Sequence, residues 1–332
     1  MKHCLLILLA VCLALTSCST IDSLAVDTLM PADVSFAPDV RRIAILNNTL
    51  PPGEEADKSS FLNQTLPADG RAVCERLAEQ IANANYFEQV IISDSILKNG
   101  TPGTQSVLTP QNVLNWTQDL QVDMLLVVDN ATIKTKNTYL YTDDSEADPL
   151  AVMAGALSLE THIYLPGRDR PFQHFIDQDT IYWELEGLTK KQIQEDASVY
   201  LAQLPVSHIT PIWETVERYY FKGGSINMRD ANVALRENDW DLARQSWEAE
   251  YNSRKGKAKM RAALNLALYY EMTGDNAKAV TYLEKSLKEF EQSGKEASTE
   301  WLLTSAYLKE LQQKDMDKQK LDLQMKRFRH DF

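Results

Sequence analysis

Three short apolar runs mark the first half of the chain: RIAIL at 42–46, QVII at 89–92 and DMLLVV at 123–128. None alternates with polar residues, which suits strands covered on both faces, as in a parallel sheet. Two segments of helical period lie between them. The first, 68–83, sets Val73, Leu77 and Ile81 on one stripe. The second opens at Thr109-Pro110, a capping residue followed by a first-turn proline, and runs past Val113, Leu114 and Trp116. Strand-helix-strand-helix-strand is the order produced by right-handed parallel crossovers.

The period then changes to two. Leu157, Leu159, Thr161, Ile163 and Leu165 alternate with Ser158, Glu160, His162 and Tyr164, and after PGRDR a second strand-like stretch runs from Phe172 to Trp183. This pattern predicts an antiparallel hairpin continuing the sheet. A pivot at Arg168 would set His162 opposite His174, with Glu160 two residues along on the same face. Opposed Cβ atoms stand ~5 Å apart, near enough to share a metal. Exposed histidines on a sheet are usually just solvated, so no metal ligand is assigned. Two further helices are predicted, 189–203 and 205–221, before Lys222-Gly223-Gly224 closes an α/β domain spanning 41–222.

In the last third, aligning NDWDLARQSW with GDNAKAVTYL places Ala243 against Ala279 and Trp247 against Leu283, a spacing of 36. Such a period marks a helical-hairpin repeat. Leu266, Ala267 and Tyr270, the turn Gly274-Asp275, and Ala279, Leu283 and Ser286 resemble the packing positions of a tetratricopeptide repeat. Residues 225–332 are therefore expected to form an all-α repeat domain. A looser third copy begins near Ala297, with Leu321, Met325 and Phe328 on a capping helix. The resemblance implies a concave face made by the first helix of each pair, where Arg261, Leu264, Asn265, Leu268 and Glu271 would meet a protein partner.

The N-terminus supplies an address. Lys2 precedes an apolar run from Leu5 to Leu15, about half of the ~20 residues needed to cross a bilayer. Leu15-Thr16-Ser17-Cys18 resembles the bacterial lipobox. That resemblance implies cleavage of a 1–17 signal, acylation of Cys18 and an outer-membrane anchor; Ser19 favours that membrane, with the protein facing the periplasm. Residues 18–40 read as a tether, with one edge strand around 24–29. Cys4 and Cys12 leave with the signal and lipid consumes Cys18. Cys74 is left alone on a helical stripe, without a disulfide partner, as a buried inert thiol. The net charge of −13 becomes −14 when Lys2 is removed, which argues against nucleic acid as a partner.

No catalytic or cofactor motif is present: HExxH, paired CxxC, GxxxxGK[ST] and GxSxG are all missing, and DDSEAD at 143–148 lacks the turn and distant glutamate of an EF-hand. The element order over 40–220, with RRIAIL before NN and VDMLLVVDNATI, resembles the small α/β domain of TolB and the curli-secretion lipoprotein CsgG. MPADVSFAPDVRRIAILNN is similar to Bacteroidota lipoproteins of unknown function. Together these readings describe a non-enzymatic envelope adaptor without cofactors. The alternatives are an oligomeric assembly or secretion component and a ligand-binding or enzymatic α/β domain.

Overall fold

The computed structural model describes residues 20–49, 63–93, 107–141, 148–292 and 298–328. The signal segment, Cys18 and positions 143–147 of the acidic run lie outside them. In chain order the strands are β1 (Ile21–Met30), β2 (Arg42–Asn47), β3 (Thr65–Pro67), β4 (Gln89–Ser93), β5 (Met124–Leu140), β6 (Leu150–Tyr164), β7 (Gln173–Glu184) and β8 (Ile212–Phe221). The helices are α1 (Gly70–Asn83), α2 (Pro110–Asp119), α3 (Lys190–Leu201), α4 (Val206–Ile209), α5 (Ile226–Arg236), α6 (Trp240–Ser253), α7 (Gly256–Met272), α8 (Asn276–Glu291) and α9 (Thr299–Met325). The chain divides into two compact units, one made of 30–212 with 320–332 and the other of 1–29 with 213–319.

The first unit has the expected α/β layout, but its bounds differ from 41–222: residues 30–40 and 320–332 belong to it, and 213–222 fall in the other unit. Its sheet runs β4-β2-β5-β6-β7, and β3 pairs with β5 off this path. β4 and β5 flank β2 in parallel, with Ile43 opposite both Val90 and Met124. β5, β6 and β7 continue antiparallel. The unbroken apolar runs have the predicted cause, because both faces of the central strands are covered. Ile43, Ile45, Met124, Leu126 and Val128 pack in one core with Val73, Leu77 and Ile81 of α1 and with Ile193, Ala197 and Leu201 of α3. Ala44, Leu46, Leu125 and Val127 pack on the other face with Val113 of α2. Thr109 caps α2 by accepting from the Asn112 amide, and Asp69 caps α1 by accepting from Arg71 and Ala72. Cys74 lies in the first core, and burial pushes its thiol up to about 12, so it stays protonated and inert. Gly155 on β6 lets Trp183 lie across the strand, since a Cβ there would stand 2.4 Å from the indole.

Two expectations are corrected in the chain's course. Residues 205–221 do not form one helix: α4 stops after one turn, Thr210 is extended ahead of Pro211, and β8 follows. A residue before proline is driven out of the helical region, and IWETVERYYF is rich in the β-branched and aromatic types that favour strands. The predicted tether carries its expected edge strand, but it is structured beyond it. Residues 21–30 form β1, which pairs with β8, and Ala32, Val34, Phe36 and Val40 are buried.

The second unit contains the predicted helical hairpins, α5–α6 and α7–α8. Asp239 and Asp275, one repeat apart, cap α6 and α8 by accepting from Leu242 and Lys278. Ala243, Trp247, Ala279 and Leu283 are fully buried at the aligned positions, and Leu266, Ala267, Tyr270 and Ser286 are buried as expected. Gly274 takes a φ of 82° at the turn, where a side chain would be strained. A further correction falls here. Among the described residues the third hairpin is absent, because α9 is one uninterrupted helix of 27 residues. Leu321, Met325 and Phe328 do not cap the helical unit, since the chain from residue 320 belongs to the α/β unit. There the Gln324 side chain accepts from the Ala32 amide at 3.0 Å and donates to the Ala32 carbonyl at 2.8 Å. Arg327 donates to the carbonyls of Tyr86, Ala37 and Val40.

Candidate functional site

The expected partner face of the helical unit is occupied by the chain itself. Leu264, Asn265, Leu268 and Glu271 are all buried. Asn265 accepts from the Phe221 amide at 2.8 Å and donates to the Phe221 carbonyl at 2.7 Å, so its amide group pairs with β8 as another strand would. Glu271 receives two hydrogen bonds from Arg218 of β8, at 2.9 and 3.1 Å, one from Lys314 at 2.8 Å and one from the Tyr307 hydroxyl. Burial alone would raise the Glu271 carboxyl. The hydrogen bonds from Arg218, Lys314 and Tyr307 outweigh it and hold the group below the usual carboxylate range. Arg261 bonds Glu300 at 2.6 Å and lies over the Phe221 ring. Arg261, Asn265 and Glu271 hold β8, and Leu264 and Leu268 share a core with its Tyr220 and Phe221, so the five do not form an open groove. A cleft of about 90 Å³ beside Arg218, Leu264, Tyr307 and Glu310 is well below the several hundred Å³ of an ordinary small-molecule site.

A different group of polar residues gathers on the sheet of the α/β unit. β2 ends at Asn47, with Asn48 next in the chain, and Asp129 follows the stretch of β5 that runs parallel to β2, on the side where open α/β sheets commonly place their ligands. A bulge between Val128 and Asn130 falls at this point. Asp129 is buried and accepts from the Asn48 side chain; its other oxygen stands 2.7 Å from Nδ1 of His162. His162 pairs with His174 across β6 and β7, the register expected from the turn at Arg168. Their rings stack with centroids 4.1 Å apart and planes within 6°. Nε2 of His174 in turn lies 3.0 Å from Oε1 of Glu160. Exposure rises along the series, the side chains being 7% exposed at Asp129, 12% at His162 and 42% at His174. Tyr164 follows on the same strand face, and burial pushes its hydroxyl up to about 12.

The two histidines and Glu160 were legible from alternation and the turn. Asp129 and Asn48 were not singled out. The available signal was a polar residue directly after each apolar parallel strand.

A third histidine holds the same unit together elsewhere. His208 places Nδ1 against Asp33 and Nε2 2.8 Å from Asp177, with its ring stacked on Phe175 at 4.1 Å. The bond to Asp177 raises its pKa, burial opposes this, and Asp33 adds to the rise. A raised folded value means that this stabilisation is full below the unfolded histidine pKa of ~6.5 and is lost as pH climbs through the folded value. The gap in melting temperature between wild type and His208→Gln is therefore expected to be widest near pH 6 and to narrow towards pH 9. A gap that widens with pH would contradict the assignment.

Residues 40–221 match the family described as Domain of unknown function (DUF8603), and residues 229–313 match a second, Domain of unknown function (DUF6340). No curated protein matches the chain. Among solved structures, the chain is similar to a minor lipoprotein from Acinetobacter baumannii, at 9% identity and a TM-score of 0.25, over 53% of this chain and 98% of that one. It is also similar to a hypothetical protein from Chlamydia trachomatis, at 8% identity and a TM-score of 0.24, over 45% and 77% of the two chains. A neuraminyllactose-binding hemagglutinin homolog from Helicobacter pylori gives 9% identity and a TM-score of 0.31, over 61% and 93%. TM-scores this low do not define a shared fold.

Proposed function

The chain belongs to the family described as Domain of unknown function (DUF8603), a membership that brings no activity with it, and we propose from the residues themselves that the protein is a lipid-anchored, non-enzymatic adaptor of the cell envelope. The observation that carries this reading is the spacing between anchor and fold. Cys18 closes the lipobox-like LTSC, and β1 begins at Ile21. Three residues reach at most ~10 Å even fully extended. The acyl chains on Cys18 would thus hold the β1–β8 ribbon and its helical unit close to the membrane surface, on the periplasmic side of the outer membrane. No described helix is long and apolar enough to cross a membrane. Confinement of this kind raises the effective concentration of any partner at the same surface.

With the first-helix face filled by β8, the partner-binding surface of this reading moves to the outward side of that strand. Trp213, Thr215, Glu217 and Tyr219 alternate along it and are exposed, Trp213 at 71%. Tryptophan and tyrosine are the residue types that most often anchor protein interfaces.

Cys18→Ala is expected to move the protein from the membrane pellet to the soluble fraction. Crosslinking in intact membranes is expected to capture a partner with wild type and to lose it with Trp213→Ala/Tyr219→Ala. Retention of Cys18→Ala in the pellet would remove the anchor, and an unchanged crosslinked set would remove the adaptor surface. Crosslinks to copies of this chain alone would favour an oligomeric assembly instead.

A further inference from the structure

We propose that Glu160, His162 and His174 form a binding site for one first-row divalent cation, with zinc as the representative ion. The inference goes beyond the adaptor reading and does not depend on the anchor or on any partner. Imidazole nitrogen and carboxylate oxygen are the donor set that such ions select. Three features of the cluster point the same way. First, one ligand atom from each of the three residues lies within 4.8 Å of the others. Donors at 2.0–2.1 Å from a tetrahedral ion stand roughly 3.4 Å apart, so closure asks for a side-chain movement of about 1.5 Å at most. His174 Nε2 and Glu160 Oε1, at 3.0 Å, are already near that separation.

Second, the β6–β7 ladder fixes the donor-bearing backbone before any ion arrives. His162 and His174 are direct partners in the ladder and Glu160 shares the face of His162; the two rings are stacked in this structure, so one must turn about its side-chain bonds to aim its in-plane lone pair at a shared ion. Bringing three donors together from a flexible loop would cost ordering entropy that a paired ladder has already removed.

Third, His162 carries the support typical of a histidine ligand. Asp129, buried at the carboxyl end of the parallel part of β5, meets its Nδ1 at 2.7 Å and is itself met by the Asn48 amide. A carboxylate on one ring nitrogen fixes the tautomer and leaves the other nitrogen with a lone pair for the metal. Asp129 is thus a positioning residue. The exposed His174 end leaves room for water or an external ligand at the fourth coordination position.

The test is a zinc titration of the full chain, purified in detergent without a histidine tag and in a non-chelating buffer. Wild type is expected to bind one zinc per chain at micromolar concentration or tighter. His174→Ala, which removes an exposed side chain, is expected to weaken binding at least ~100-fold, and Glu160→Gln to weaken it comparably while preserving side-chain volume. Asp129→Asn is expected to keep the single equivalent and to weaken it by ~10–100-fold, the range for an outer-shell partner. Circular dichroism without metal verifies that each variant is folded. No zinc bound by wild type at 100-fold excess, or wild-type affinity in folded His174→Ala and Glu160→Gln, would overturn the site.

Discussion

Glu271→Gln is expected to destabilise the protein by about 3 kcal/mol, the scale for breaking one side of a buried ion pair. The Glu271 side chain is 1% exposed and that of Arg218 7%, so water cannot take over the lost interactions. The substitution leaves Arg218 with Glu310 as its remaining carboxylate partner and removes the charge facing Lys314. Urea denaturation at pH 7 measures the loss. A double variant, Arg218→Met/Glu271→Leu, is expected to recover part of it, because apolar side chains of similar size often replace a buried pair without penalty, while the Tyr307 hydroxyl still loses its acceptor. If the double variant were as unstable as the single one, the effect would not lie in the unpaired charge. The Glu271 carboxyl is depressed in the fold, so its contribution is present above the unfolded glutamate value of ~4.3 and fades as pH falls through the folded one.

Arg327→Ala is expected to cost about 3 kcal/mol in the α/β unit. The guanidinium donates to three main-chain carbonyls, at 3.2, 3.2 and 2.9 Å, and lies 4.3 Å from the centre of the Tyr86 ring. Hydrogen bonds from a charged donor contribute ~1.5–3 kcal/mol and a partly desolvated cation on an aromatic face ~0.5–2 kcal/mol. Burial lowers the Arg327 pKa, yet an arginine keeps its charge at any pH the fold survives. Arg327→Lys is expected to show most of the same loss in a thermal melt, because a single ammonium does not span three carbonyls as the planar fork does. A lysine variant as stable as wild type would show that charge alone matters here.

Both predictions concern residues whose partners are far away in sequence, and this separates what was legible from what was not. The sheet could be read because strands covered on both faces are apolar without interruption and strands covered on one face alternate. RIAIL and MLLVV became parallel neighbours, and the alternation from Leu157 to Tyr164 became β6. The turn at Arg168 then fixed the register that sets His162 against His174. The helical hairpins could be read from the spacing of Ala243 and Ala279, since close helix packing accepts only small side chains there. The helix predicted over 205–221 fails at Thr210, where the residue before Pro211 leaves the helical region and the chain continues as β8.

The sequence by itself therefore determined which side chains avoid water and, through short turns, which neighbouring segments pair. Only the tertiary structure decided what covers each apolar or polar face. Asn265 meets Phe221, and Gln324 meets Ala32 across 292 positions of chain. Periodicity records that Leu264, Leu268 and Glu271 lie along one side of a helix. Whether that side meets a partner or the chain's own strand depends on long-range closure, and no local pattern encodes the identity of the covering surface.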